Sequence, residues 1–495
     1  MNPNDHLAAL QVVIPLLATP LVVLLRSHRL AWATTTLTSL MAFIIAIALT
    51  MGVMSGHDYQ YFMGSWPAPY GIELRVDALS ALILLIITGA STFALFAAYH
   101  SIDDQIGSHR QPLFYAAWLL ALAGLSGIAV AGDAFNIFVF MEISSLASYV
   151  LVAGGPDKRA LPAVYKYLIF GTVGATFYLI GVGLIYMMTG TLNLADMAVR
   201  IQEVSDQNPV LVAAGFITVG LALKAAVFPL HIWLPNAYTF APHVVTVFLA
   251  ACATKVALYV LLRFDFFVFQ PNLSGHEFQF AYFLMPLAIL AILIASAVAM
   301  FEKNLKRLLA WSSIAQIGYI MLGVSLVDMA GLTASILHIF NHAIAKGSLF
   351  LAVACLALHF RDLNLTKIAG SARAMPWTMA AFVIAGLSLI GVPGTAGFIS
   401  KWYLITAVLS MGMAGIALAA VIVIGSLMAV VYVWRIVEHA YFQVPENPVS
   451  AREAPLGILT VTWIAVLANL YFGLNPDLPV ALSTSAASTL IGYIP

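Results

Sequence analysis

Apolar runs of about 18 to 30 residues recur from Leu7 to Phe472, each long enough for a membrane-spanning helix of roughly 20 residues. In hydrocarbon the backbone must satisfy its own N–H and C=O groups, so a chain built of such runs folds as a bundle of spanning helices. Fourteen runs are placed, near residues 7–25, 31–54, 76–99, 112–131, 134–153, 161–188, 209–228, 241–262, 281–301, 306–326, 331–358, 376–408, 415–435 and 455–473. Composition agrees: 62% of residues are hydrophobic, 8% are charged and mean hydropathy is +0.99, values foreign to a soluble domain of 495 residues. The expected fold class is an all-α polytopic membrane protein.

The net charge is zero, and the placement of the charges says more than their sum. The loops joining odd to even spans hold Arg26, Arg29, Arg110, Lys158, Arg159, Lys166, Lys303, Lys306, Arg307, Arg361, Lys367, Arg373, Arg435 and Arg452. The other side holds Arg75, Arg200 and Arg263. Positive charge collects in the cytoplasm, so this asymmetry predicts both termini on the external side. The first run has neither a basic leader nor a small-residue cleavage site and reads as a retained helix. Cys252 and Cys355 fall in apolar runs and read as small packing residues rather than a disulfide framework. Spans 1 to 3 carry almost no ionisable residue and read as a lipid-facing or packing layer. The loop Gly56 to Arg75 reads as a short ordered cap, Thr191 to Gln207 as a short surface helix or loop, and the tail after span 14 as short.

Four basic residues remain, and all lie inside apolar runs: Lys224, Lys255, Lys346 and Lys401. An ammonium in hydrocarbon is expensive, which makes each a functional hypothesis by default. Lys224 sits in LALKAAVFPLHIWLPNA, where Pro229 and Pro235 interrupt the helix. A break at membrane depth is tolerated where protein or a water-filled cavity receives the freed backbone groups. Span 12 repeats the arrangement: GLSLIGVPGTAGFISKWYL places Gly391, Pro393, Gly394 and Gly397 at a break, with Lys401 a turn or so beyond. Two interrupted segments, five spans apart and each with a lysine, point to inverted five-helix repeats, spans 4–8 and 9–13, with the site at the breaks. The expected divisions are residues 1–111, 112–263 for the first repeat, 280–442 for the second, and 443–495 for the last helix and tail.

Glu142, in NIFVFMEISSLASY, is the acidic residue read as central to a spanning segment, and its obvious partner is Lys224. The plainer alternative is a neutral glutamic acid hydrogen-bonding between helices. In span 11, LHIFNHAIAKGSLFL, the residues His338, His342 and Lys346 are spaced i, i+4, i+8 and share one helix face. Histidine titrates near neutrality, so such a stripe suits a proton relay. It is a poor zinc site, with two histidines and no cysteine or carboxylate on that face.

FVFMEISSLASYVL, LKAAVFPLHIWLPNAY, ATKVALYVLLRF, LHIFNHAIAKGSLFL and GFISKWYL resemble, in order, the signature segments of the antiporter-like proton-translocating subunits. These are shared by respiratory complex I, membrane-bound hydrogenases and Mrp-type cation/proton antiporters. Within that family, NIFVFMEISSLASY and the overall length are most similar to the D-type member of the Mrp antiporters. The resemblance covers spans 4 to 13 and implies fourteen helices with broken spans 7 and 12. It further implies that Glu142 and Lys224 form a regulating ion pair and that Lys255 passes protons inward. His338, His342 and Lys346 are then the middle relay, and Lys401 ends the axis. Lys401, in place of glutamate, argues against the M-type member of complex I, and the length argues against the larger L-type and Mrp A-type members. The N-type member of complex I, or a hydrogenase subunit, stays the alternative.

The implied function is proton movement coupled to export of Na+ or K+ in a bacterial cell (inner) membrane complex with Mrp A, B, C, E, F and G type partners. No cofactor is expected, since no cysteine cluster, phosphate-binding glycine loop or haem ligand pair is visible. A solute transporter would need binding groups beyond a titratable axis. An inactive scaffold would have no reason to keep so many buried charges.

Overall fold

The computed structural model describes residues 6–25, 27–270, 280–444 and 452–492. Arg26 and residues 445–451 of the polar loop after Ala440 lie outside the described residues. In chain order the helices are α1 (Leu7–Leu24), α2 (His28–Met54), α3 (Ala78–Ser101), α4 (Gln111–Val130), α5 (Ala134–Ala153) and α6 (Ala160–Thr189). There follow α7 (Leu194–Arg200), α8 (Asn208–Ala225), α9 (Leu234–Phe240), α10 (His243–Val268) and α11 (Tyr282–Phe301). The second half adds α12 (Leu305–Val324), α13 (Met329–Ala357), α14 (Pro376–Ile390), α15 (Ala396–Leu409), α16 (Met413–Phe442), α17 (Leu456–Leu474) and α18 (Asp477–Ile491).

Thirteen of these are long and apolar enough to cross a membrane, and the shorter halves α14 and α15 together make the fourteenth span. The sequence-based placement therefore holds, with breaks in spans 7 and 12 where the prolines and glycines fall. A β-hairpin, β1 (Tyr59–Phe62) antiparallel to β2 (Glu73–Val76) with Tyr59 opposite Val76, forms the ordered cap between α2 and α3. The polar stretch after α6 forms α7, capped by the Asn193 side chain on the N–H groups of Ala195 and Asp196.

The helices sort into an inner and an outer set. α4, α10, α12 and α13 are buried over nearly their whole length, and α3 over most of it, whereas α1, α2, α6, α11, α16 and α17 expose one apolar side. Exposed Leu, Ile and Val on the outer helices are what a surface facing hydrocarbon requires, since lipid is as apolar as leucine.

Of the two readings open for spans 1 to 3, α3 takes the packing one: it packs against α10 and hydrogen-bonds through Ser91, which accepts from Ser39 and from Trp118 Nε1. Its buried hydroxyls distinguish it from α1, which is apolar on the side it exposes. The short tail forms α18, which lies against α3 and α13 and buries Pro479, Leu482, Ser483, Ala486, Ala487 and Leu490. Arg263 and Lys306, counted with the loop charges, are both buried. Arg263 is 2.5 Å from Asp77 at the mouth of α3, and Lys306 donates to the carbonyl of Ala241 at 2.7 Å, across the seam between the repeats.

Candidate functional site

The break in span 7 begins where α8 ends at Ala225; Ala226 takes the left-handed conformation (φ 56°) and turns carry the chain to Leu234. Pro229 lies within that gap. Pro235 does not interrupt a helix as expected: it sits in the first turn of α9, where its missing N–H removes a bond no helix would have made. The gap is pinned by Trp233, whose indole N–H donates to the carbonyl of Leu223 at 2.9 Å, and whose ring stacks on Tyr167 at 4.2 Å. Lys224 is in the last turn of α8, at the negative end of the helix dipole, a favourable place for a cation.

Glu142 projects from α5 towards it. Lys224 Nζ stands 3.7 Å from Glu142 Oε1, and the Lys224 side chain is nearly buried while that of Glu142 is partly open. The hydrogen bond from the ammonium goes instead to Ser145 Oγ, at 2.7 Å, one turn along α5. Glu142 Oε1 has no hydrogen-bond partner among the described residues. The pair is thus in electrostatic contact but not locked. A cavity of about 40 Å³ lined by Ser144, Ser145, Ser148, Tyr149, Tyr167 and Lys224 adjoins it, large enough for water.

The buried Lys255 of α10 donates to the carbonyl of Ala250 in its own helix. α10 packs on α13, whose face carries the expected stripe. His338 holds Ser400 Oγ at 2.8 Å through Nδ1 and Gln316 Oε1 at 2.9 Å through Nε2. The His342 ring stacks on it at 6.0 Å, and neither of its nitrogens has a partner among the described residues. Lys346 donates to the carbonyl of Leu309 at 2.7 Å and to the hydroxyl of Ser312.

The second break uses the glycines the sequence offers. Gly391 (φ 92°) and Gly394 (φ 85°) both occupy left-handed backbone that other residues avoid. Lys401, in the second turn of α15, reaches back over the gap. Its ammonium donates to the carbonyls of Leu389 (3.2 Å) and Ile390 (2.8 Å) at the end of α14, and to Ser426 Oγ of α16 at 3.0 Å. The ring of Tyr319 faces it at 4.7 Å, within cation–π range. A cation on the orphan carbonyls of a half-helix is the arrangement expected at broken transmembrane helices.

The lysines and histidines singled out from the sequence are therefore buried or nearly so, on α8, α10, α13 and α15, and Glu142 on α5 is partly open. The uncharged partners were missed. Gln316, Ser312 and Tyr319 belong to α12, the least hydrophobic of the thirteen long spans, and recur at helical spacing; that pattern could have revealed them. Asp265 was missed as well. It is buried at the end of α10, with Thr218 Oγ1 at 3.4 Å from Oδ1 and no partner for Oδ2 among the described residues.

Two broken helices, each with a lysine at its gap, and a stripe of buried histidines and lysine on α13 define the interior of a polytopic membrane protein. The chain belongs to the family described as NADH:quinone oxidoreductase/Mrp antiporter, TM, which matches residues 131–429. It is 40% identical over 459 residues to the N subunit of NADH-quinone oxidoreductase from Desulforudis audaxviator, covering 91% of this chain and 89% of that one. It is 29% identical over 491 residues to the D subunit of the Na(+)/H(+) antiporter from Bacillus subtilis, covering 98% and 97%. A chain in the structure of the Mrp complex from Dietzia sp. DQ12-45-1b superposes with a TM-score of 0.90 at 27% identity, covering 99% of this chain and 98% of that one.

Proposed function

We propose that this chain is the proton-translocating membrane subunit of a multi-subunit Na+(K+)/H+ antiporter. Protons would move along Glu142, Lys224, Lys255, His338, His342, Lys346 and Lys401. The observation that carries the reading is the 3.7 Å approach of Glu142 to Lys224 at the end of a broken helix, with the hydrogen bond given elsewhere. While the carboxylate stays close, its field holds the proton on the lysine; a small outward movement of Glu142 weakens that hold and frees the proton for the next group. His338 and His342 are stacked between the hydrogen-bonded lysine sites of α13 and α15, and both His342 nitrogens, without a described partner, are open to receive and pass a proton. The partners would be subunits of the Mrp A, B, C, E, F and G types in a bacterial cell membrane, with both termini outside. The near-complete superposition on a chain of an Mrp complex supports this reading.

A second reading is favoured by the 40% identity to a protein named as the N subunit of NADH-quinone oxidoreductase. There the same path would be driven by a redox reaction in other subunits. Vesicles carrying the whole complex distinguish them. If Na+ or K+ addition moves protons, and Glu142→Ala and Lys224→Ala abolish the movement with assembly intact, the antiporter reading holds. Proton pumping with an electron donor and no cation exchange would replace it with the second.

A further inference from the structure

The last spanning helix, α17, belongs to neither five-helix repeat, yet one of its faces is fitted to the break in span 12. Asn469 is fully buried there. Its Oδ1 accepts a hydrogen bond from Ser388 Oγ at 2.9 Å, and its Nδ2 donates to Ser348 Oγ at 2.9 Å. The orientation of the amide follows from its neighbours, since the Ser348 hydroxyl already donates to the carbonyl of Ile344 at 2.9 Å and is left only to accept.

Ser388 occupies the last turn of α14, just before the Leu389 and Ile390 carbonyls that receive Lys401. Its oxygen also accepts from the backbone N–H of Gly397 at 3.2 Å. Gly397 is in the first turn of α15, where N–H groups have no intrahelical acceptor. Thr395 stands at the capping position but spends its hydroxyl on the carbonyl of Val392 at 2.7 Å and caps nothing. The cap of the second half-helix is thus supplied by a serine of the first half, across the gap. One turn further along the same face of α17, Gly473 meets the gap itself. A Cβ there would stand 2.4 Å from Thr395 Cα and 2.5 Å from the carbonyl oxygen of Gly394.

We propose that Asn469 is a positioning residue for Lys401. Through Ser388 it sets the spacing of the two half-helices and so the carbonyl cradle in which the ammonium sits. Through Ser348 it ties that cradle to α13, two residues beyond Lys346. The inference rests on Lys401 being part of the proton path. Without the amide, the Ser388 hydroxyl is free to turn its proton to a carbonyl of its own helix, as serines within helices do, and the cap on Gly397 loosens. The titratable groups facing Lys401 are Tyr319 of α12, at 4.7 Å, and His338 of α13, linked through Ser400; α14 and α16 present carbonyls and the Ser426 hydroxyl.

The test uses the whole complex, with Asn469→Leu, Ser388→Ala, their combination, and Lys401→Met. Two readouts are taken: amide hydrogen exchange of the segment 388–401, and proton flux across a range of pH, driven by Na+, K+ or an electron donor. Asn469→Leu and Ser388→Ala should each speed exchange at the gap, lower the maximal rate by about ten-fold and move the pH profile, and the double variant should be no worse than either. Unchanged exchange in Asn469→Leu, or slower flux with an unmoved pH profile, would overturn the positioning role. If Lys401→Met transports normally, the proton-path reading of that lysine fails instead, and the exchange data still decide whether Asn469 holds the gap.

Discussion

Lys401 Nζ donates to the carbonyl oxygen of Ile390 at 2.8 Å, so the ammonium of one half-helix closes the open end of the other. Gly391, the next residue, packs directly under that side chain. A Cβ on Gly391 would lie 2.9 Å from Lys401 Cδ, whereas a Cβ on Gly394 would meet nothing within 4 Å. Both glycines have positive φ, so replacement by alanine strains each backbone by a similar amount, about 1–2 kcal/mol. Gly391→Ala is expected to lower transport well beyond Gly394→Ala at equal loss of thermal stability. Flux and melting temperature measured on the two variants check this; equal flux would show that the contact with Lys401 is slack.

At the first break, the hydrogen bond and the ion pair of Lys224 go to different residues, Ser145 and Glu142. Ser145→Ala removes the bond and keeps the charge pair. It should slow transport by about ten-fold to a hundred-fold, the worth of one hydrogen bond to a charged group. Glu142→Gln keeps the shape and removes the charge, and should be the more damaging change. Reversal of that order in vesicle flux would place the control on the serine.

The Asp77–Arg263 pair predicts stability rather than transport. Asp77 caps α3 by accepting from the N–H of Ser80 at 3.0 Å, and both side chains of the pair are buried. Asp77→Asn keeps a cap acceptor but leaves the Arg263 charge unpaired, at a loss on the order of 3 kcal/mol. Burial alone would raise the Asp77 carboxyl, but the Arg263 charge, its hydrogen bond, the Ser80 N–H and Arg75 together hold it below its ordinary value of 3.8. A carboxyl lowered on folding contributes stability that is present above the ordinary value and lost as pH falls through the lowered one. The difference in melting temperature between wild type and Asp77→Asn should therefore be full at neutral pH and shrink only in strong acid.

Asp265 makes the opposite case. Its single hydrogen bond, from Thr218, is long, and no described residue meets Oδ2. A carboxylate in such surroundings is costly to bury, so Asp265→Asn should leave the melting temperature of the complex unchanged or raise it. A clear fall would mean that the carboxylate has a partner in the assembled protein.

How much of this was legible in the sequence depended on charge. Lys224, Lys255, Lys346 and Lys401 stand out because an ammonium in an apolar run has no ordinary explanation, and the glycines and prolines beside two of them mark the breaks. Asn469, Ser388 and Ser145 were silent because single hydroxyls and amides are commonplace in spanning helices, and only the fold shows which of them face one another. Asp265 was hidden by its place near a span end, where an acid reads as interfacial. α18 was hidden by composition, since its serines and threonines give it the look of a polar tail although one face is buried. Arg263 and Lys306 were counted with the loops because they stand at the ends of spans, and the contacts that bury them, to Asp77 and Ser80 at the start of α3 and to the carbonyl of Ala241, are distant in sequence.

The inverted repeat gives the two breaks opposite directions: α8 and α14 run towards their gaps from opposite faces of the membrane. Lys224 and Lys401 thus sit at the carbonyl ends of antiparallel half-helices. A transmembrane voltage does work of opposite sign on a proton leaving Lys224 along α8 and on one leaving Lys401 along α14, whose carbonyls hold it. A potential that helps to empty one of them helps to keep the other filled. The electrical load of the two sites is opposed by construction, and current–voltage curves of variants impaired at one break should lean in the direction set by the other.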